Sequence, residues 1–142
     1  MKKTVNYIFP LVCLFMLVSC EKEGKPYKGE PQIAFALKTY TYNVSNATNS
    51  VSVPVQLIAD APQGAINATV NVDAGSTNCS SAVSVPNAVT IDSGRFTTNL
   101  VIGVTHANLN AGNANKLVLN LSAAGIKVSG SYGTVTITLN KQ

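Results

Sequence analysis

The sequence predicts an all-β domain, an antiparallel sandwich of about seven strands following a cleaved signal segment, and three observations carry that expectation. From Gln32 onward apolar residues recur at every second position, the period of a strand with one buried face. Asn, Gly, Ser and Pro break these rows at the short spacings of a sandwich. Residues 32–142 carry eight charged side chains against 37 Asn, Ser and Thr, so the polar faces are hydroxyls and amides rather than ions.

The N-terminus comes first. Lys2 and Lys3 precede an apolar run from Ile8 to Val18, which is the layout of a signal segment over residues 1–19 and is too short to span a bilayer. Leu17-Val18-Ser19-Cys20 resembles a bacterial lipobox, which implies cleavage before Cys20 and lipidation of its sulfur. Several acyl chains on one residue anchor durably, at about 0.8 kcal/mol per buried CH₂. Residues 20–31 read as a flexible tether, because charge, Pro26, Pro31, Gly24 and Gly29 replace any apolar period. Glu21-Lys22-Glu23 is similar to the export signal of Bacteroidetes-type surface lipoproteins and equally to a plain solvated spacer. An outer-membrane lipoprotein, facing the cell surface or the periplasm, is the implied location.

The rows of residues 32–142 follow in order. Ile33, Phe35 and Leu37 form the first inward row. Tyr40 and Tyr42, two apart, share one face of a strand. Val51, Val53, Val55 and Leu57 form the next row, and Pro54 within it argues for an edge strand or a bulge, since proline cannot donate to a ladder. Ile66, Ala68, Val70 and Val72 are followed by an Asp73-Ala-Gly-Ser turn, then Val83, Val85, Val89 and Ile91. Phe96, Thr98, Leu100 and Ile102 come next, then Leu117, Leu119 and Leu121, and Val135, Ile137 and Leu139 close the chain. The stretch 107–114 offers a helix only weakly, with four Asn or Gly in eight residues.

Residues 87–104, NAVTIDSGRFTTNLVIGV, resemble the strand, glycine turn and strand of Calx-beta-like and related immunoglobulin-like domains. Residues 116–122 and 130–139 resemble their closing strands. The resemblance implies an immunoglobulin-like sandwich and, since similar domains occur in Bacteroidetes-type polysaccharide-utilisation lipoproteins, a place beside glycan-handling proteins. In Calx-beta-like domains the loop after the strand matching residues 96–104 is acidic and supplies calcium ligands. Here it reads Thr105-His-Ala-Asn-Leu-Asn-Ala-Gly-Asn-Ala-Asn115, with neutral amides at Asn108, Asn110 and Asn113 and no carboxylate. Calcium takes six to eight hard oxygens and relies on carboxylate charge, so no metal and no cofactor is expected.

Catalytic chemistry is poorly supplied. Cys13 leaves with the signal and Cys20 takes the lipid, so Cys79 has no disulfide partner, and a Cys–His dyad would depend on His106 alone. Asp60, Asp73 and Asp92 each sit among Ala, Gly or Ser, the setting of turn aspartates, and no nucleophile elbow, zinc spacing or phosphate loop is present. The net charge of +2 over residues 32–142 is no footprint for nucleic acid. The expectation is a non-enzyme: a surface module held to the membrane by lipid and binding a glycan or another envelope protein. The alternative is a structural or adhesin-like subunit working through protein contacts. Tyr40 and Tyr42, as a small stacking platform or else a packed aromatic cluster, and Asn108 and Asn110, in the longest polar loop, are the candidate ligand residues.

Overall fold

The computed structural model describes residues 27–61, 63–112 and 115–142; the signal segment, Cys20 and most of the tether lie outside them. Ten strand segments form among the described residues: β1 (Gln32–Phe35), β2 (Thr39–Val44), β3 (Ser50–Ile58), β4 (Ile66–Val72), β5 (Val83–Ser84), β6 (Ala88–Ile91), β7 (Thr97–Val104), β8 (Asn115–Ala123), β9 (Lys127–Val128) and β10 (Thr134–Lys141). Sheet 1 runs in the order β5-β7-β3-β1-β9 and sheet 2 in the order β2-β10-β8-β4-β6. The two face each other as a sandwich. The weak helical stretch contributes one 3₁₀ turn, His106–Asn108.

Seven continuous runs account for the ten segments, because three runs begin in sheet 1 and finish in sheet 2. β1 continues as β2, β5 as β6, and β9 as β10. The first and last of these travel side by side. β1 and β9 are parallel neighbours in sheet 1, and β2 and β10 are parallel neighbours in sheet 2. Where they cross, the Ser129 N–H donates to Ile33 O (2.9 Å), Phe35 N–H donates to Tyr132 O (2.8 Å), and Thr136 N–H donates to Lys38 O (2.9 Å). Gly133 is required at this point: a Cβ there would lie 2.7 Å from both Ser129 O and Val128 Cγ1. The Lys38 ammonium sits 5.3 Å from the centre of the Tyr132 ring, a cation–π contact between the two crossing segments. Tyr132 is thus a corner residue.

The crossing also resets the side-chain phase. Odd-numbered Ile33 and Phe35 point inward on β1, whereas even-numbered Tyr40, Tyr42 and Val44 do so on β2. Leu37, expected in the first inward row, falls in the shift and is 55% exposed. Two further rows end sooner than their periodicity suggests. Val72, at the last position of β4, is 55% exposed, and Phe96, one residue before β7, is 39% exposed. Its backbone serves the fold instead, accepting the Leu57 N–H at 2.7 Å.

Pro54 corrects another expectation. β3 is an interior strand, paired with β7 on one side and β1 on the other. The ladder to β1 ends at Phe35, one position before Pro54 would have to donate, and the Pro54 carbonyl still accepts from Ala36 N–H at 3.0 Å. Proline is tolerated in an interior strand here because its neighbour leaves the sheet at the position where the missing N–H would be used.

The core fills the space between the sheets with Ile33, Phe35, Val53, Val55, Ile91, Leu100, Ile102, Leu117, Leu119, Ile137 and Leu139, all at most 1% exposed. Cys79, its thiol free, belongs to the same cluster. Truncating Phe35 or Leu119 to alanine is expected to cost about 2–5 kcal/mol, the range for large-to-small changes in a packed core. Phe96→Ala, at the rim, is expected to cost less than either. Denaturant midpoints of the three variants check this ranking, and an equal loss in all three contradicts it.

Candidate functional site

The two ends of the sandwich differ in what they gather. The chain enters β1 at one pole, together with residues 59–61 and 63–65 between β3 and β4, 92–96 between β6 and β7, and 124–126 before β9. Gly94 N–H donates to Gln63 O there, at 3.2 Å. This entry pole holds a concavity of about 690 Å³ lined by Glu30, Pro31, residues 63–67 and residues 124–127. Glu30 and Lys127, both exposed, face each other across 3.9 Å at its rim. Its lining comes from three stretches far apart in the chain, so no local pattern marks it.

The opposite pole gathers residues 45–49, 73–82 and 105–112 with the C-terminus. Lys141 Nζ donates to Leu109 O (3.0 Å) and Ala107 O (3.4 Å), and His106 Nε2 pairs with Gln142 O at 2.8 Å. Asn115 is fully buried beneath this loop. Its amide donates to Leu139 O (3.0 Å) and Asn110 O (3.2 Å), and its Oδ1 accepts from Asn110 N–H at 3.0 Å. A buried side-chain amide therefore does for the loop what a ladder does for a strand. The side chain of Asn108 donates to Ser81 O at 2.8 Å. Asn108 and Asn110 are both exposed at the surface of this pole.

The ionisable groups here do structural work. Asp73 Oδ1 accepts Gly75 N–H and its Oδ2 accepts the Asn120 amide, each at 2.8 Å. These bonds, the Gly75 one foremost, hold the carboxyl below its usual range, the behaviour of a turn aspartate. The Cys79 thiol donates to Lys116 O at 3.1 Å, and burial pushes its pKa up. That is the reverse of what a nucleophile needs. Cys79 also borders a smaller groove of about 300 Å³ with Val72, Val83, Val85 and Leu117, which explains the exposure of Val72. Among the described residues no three His, Cys, Asp or Glu side chains come together.

Tyr40 and Tyr42 lie elsewhere, on the side of the sandwich. They pair with Ile137 and Leu139 of β10, whereas the 105–112 loop docks on Lys141 and Gln142, about 7 Å farther along the strand from Leu139 and about 13 Å from Ile137. The structure does not bring the two candidate pairs into one site. The tyrosine rings stack at 6.1 Å and 9°, half-buried against the core. Once β1 has left sheet 1, the Ser52 carbonyl of β3 has no ladder partner on that side, and the Tyr42 hydroxyl donates to it. Tyr42 thereby ties sheet 2 to sheet 1 across the gap that the crossing opens. The Tyr40 hydroxyl is buried with no hydrogen-bond partner. Burial, over a smaller opposing influence of the Leu37 amide, raises its pKa, and burial followed by the neighbouring Tyr40 raises that of Tyr42. Both phenols are favoured neutral, so this seam keeps its stability below the unfolded phenol value near 10 and loses it as pH rises beyond.

No protein-family model matches this chain, and no curated protein matches it in sequence. Solved structures show the fold to be Calx-beta-like. A protein from Bacteroides ovatus described as a candidate carbohydrate-binding protein superposes with a TM-score of 0.60 at 16% identity, over 78% of this chain and 37% of its own. The apo form of the Calx CBD1 domain gives 0.60 at 12% identity over 80% of this chain and 99% of its own. The periplasmic chaperone SfaE gives 0.53 at 11% identity over 78% and 58%. This chain spans little more than a third of the Bacteroides protein.

Tyr42→Phe is expected to cost about 0.5–1.5 kcal/mol, the net worth of a hydrogen bond. Tyr40→Phe, which removes a buried hydroxyl without a partner, is expected to be neutral or stabilising. Chemical denaturation of the two variants reads the difference directly, and a larger loss for Tyr40→Phe contradicts the seam.

Proposed function

We propose that the protein is a non-catalytic module, lipid-anchored at Cys20 to the outer membrane, that presents a binding surface for a neutral glycan at the pole facing away from its tether. One observation carries this reading: the chain enters at one end of the sandwich, while the 105–112 loop, free of carboxylates and braced from below by Asn115, stands at the other. A lipid anchor followed by a tether would hold the entry pole toward the membrane and leave Asn108 and Asn110 outermost. Neutral amides and hydroxyls suit a polyhydroxylated, uncharged ligand, whereas an ionic ligand would find little charge to meet. The likeness in fold to a Bacteroides protein described as a candidate carbohydrate binder supports the same class of ligand. The raised thiol of Cys79 and the structural employment of His106 and Asp73 support a role without catalysis.

Affinity electrophoresis through gels containing neutral polysaccharides tests the ligand. Retardation by at least one of them, reduced severalfold in an Asn108→Ala, Asn110→Ala double variant of unchanged melting temperature, is the expected outcome; equal retardation of the double variant contradicts it. Detergent phase partition tests the anchor. Cys20→Ala is expected to move the protein to the aqueous phase, and its retention in detergent contradicts lipidation.

A further inference from the structure

Sheet 2 ends on β2, and among the described residues no strand lies on its outer side. The ladder to β10 shows which backbone groups are left over. Thr136 N–H donates to Lys38 O and Gln142 N–H to Val44 O, each at 2.9 Å, so the even-numbered residues of β2 face β10. Thr39, Thr41 and Asn43 turn their N–H and C=O groups to the open edge. Edges of this kind are ordinarily blocked by a charge, a proline or a bulge. The strand Thr39-Tyr-Thr-Tyr-Asn-Val44 has none of these. β7, the other long strand near an edge, differs in that β5 already covers its Gly103 and Val104.

The order of residues along β2 identifies what would fit. Read in either direction from Thr41, the strand gives a tyrosine and then a small polar residue, Tyr40 and Thr39 one way, Tyr42 and Asn43 the other. An antiparallel partner of the same sequence, centred on Thr41, sets Thr41 opposite Thr41, Thr39 opposite Asn43, and Tyr40 opposite Tyr42. Edge-facing residues then meet edge-facing residues, which is the condition for hydrogen-bonded pairs in an antiparallel ladder. Thr–Thr and aromatic–aromatic neighbours are among the favourable cross-strand pairs. A slip of one residue loses all of this by setting Tyr against Thr and inverting the faces. Only a second copy of the chain makes use of the palindrome. We infer that β2 is a homotypic docking edge, through which two copies pair antiparallel about a two-fold axis at Thr41 to form one continuous ten-stranded sheet.

The half-buried tyrosine pair of each copy would then join that of the other in a four-ring cluster. The two-fold turns one domain end over end relative to the other, so their entry poles point in opposite directions. A contact along six edge residues is small beside the roughly 1,200–2,000 Å² of stable complexes, so pairing should be weak and concentration-dependent. β2 lies on the side of the sandwich, so pairing leaves the far-pole loop of each copy uncovered; with both copies anchored to one membrane, it would turn one of the two loops toward that membrane.

Oxidative crosslinking of the full chain in detergent tests it. Hydrogen-bonded antiparallel partners have Cα atoms about 5.5 Å apart, within disulfide range. Thr41→Cys is expected to give a covalent dimer at least severalfold above the wild-type background. Thr138→Cys, one strand inward on the same face, and Thr97→Cys, on the other sheet, are expected to stay at background. Thr41→Pro supplies the complement: its lost N–H faces the open edge, so the fold should persist while the two central bonds of the dimer disappear. In sedimentation the wild type should associate as concentration rises and Thr41→Pro should remain monomeric. A Thr41→Cys dimer no greater than that of Thr138→Cys, a wild type monomeric at every concentration, or a folded Thr41→Pro that associates as the wild type does, overturns the inference. Should Thr41→Pro unfold, the crosslinking result decides alone.

Discussion

Three strands that change sheets are what this sandwich depends on. Its sheets share no disulfide among the described residues, and its eight charges beyond Gln32 are too sparse to form ion-pair networks. Apolar contact between the sheets supplies the driving force, but apolar contact has no direction and would let one sheet slide over the other. Running β1 into β2, β5 into β6 and β9 into β10 removes that freedom, because each crossing fixes one point of sheet 1 over one point of sheet 2. Much of the local chemistry follows from the same constraint. Gly133 is a glycine because two crossing segments meet there, Pro54 is tolerated because β1 departs beside it, and Tyr42 reaches Ser52 because that departure leaves a carbonyl without a partner.

Most of the fold was legible in the sequence because period two survives wherever a run stays in one sheet. The rows on β3, β7, β8 and β10 read correctly at nearly every position. The misreadings cluster where a run changes sheet or ends. Leu37 sits in the phase shift of the first crossing, Val72 borders a groove at the end of β4, and Phe96 precedes β7. Periodicity reports which side of a strand a residue occupies and says nothing of whether anything lies opposite. Pro54 was misplaced for a related reason: a strand can be interior along most of its length and lack a neighbour at one residue.

The candidate site was less legible. The turn role of Asp73 was readable from residue type and neighbours. That the 105–112 loop is braced by Asn115 was not, since Asn115 looks like one more loop amide until it is seen beneath the loop, bonded to Leu139 and Asn110. The tyrosines were correctly placed on one face of a strand, but the partner of Tyr42 is a carbonyl freed by a sheet change elsewhere. The entry-pole concavity is lined by three stretches far apart in the chain, which no local pattern connects. Loops and edges are where tertiary context outweighs local pattern.

Native-state amide hydrogen exchange tests the role of the crossings most directly. If β1–β2 and β9–β10 are the points that hold the sheets in register, the N–H groups of Phe35, Ser129 and Thr136, which bridge these segments, open only with the whole domain. They should then exchange as slowly as those of Leu119 and Ile137 at the centre of sheet 2. Exchange at these three amides orders of magnitude faster, with the sheet centres still protected, would show that the crossings open locally and that the sheets hold their register without them.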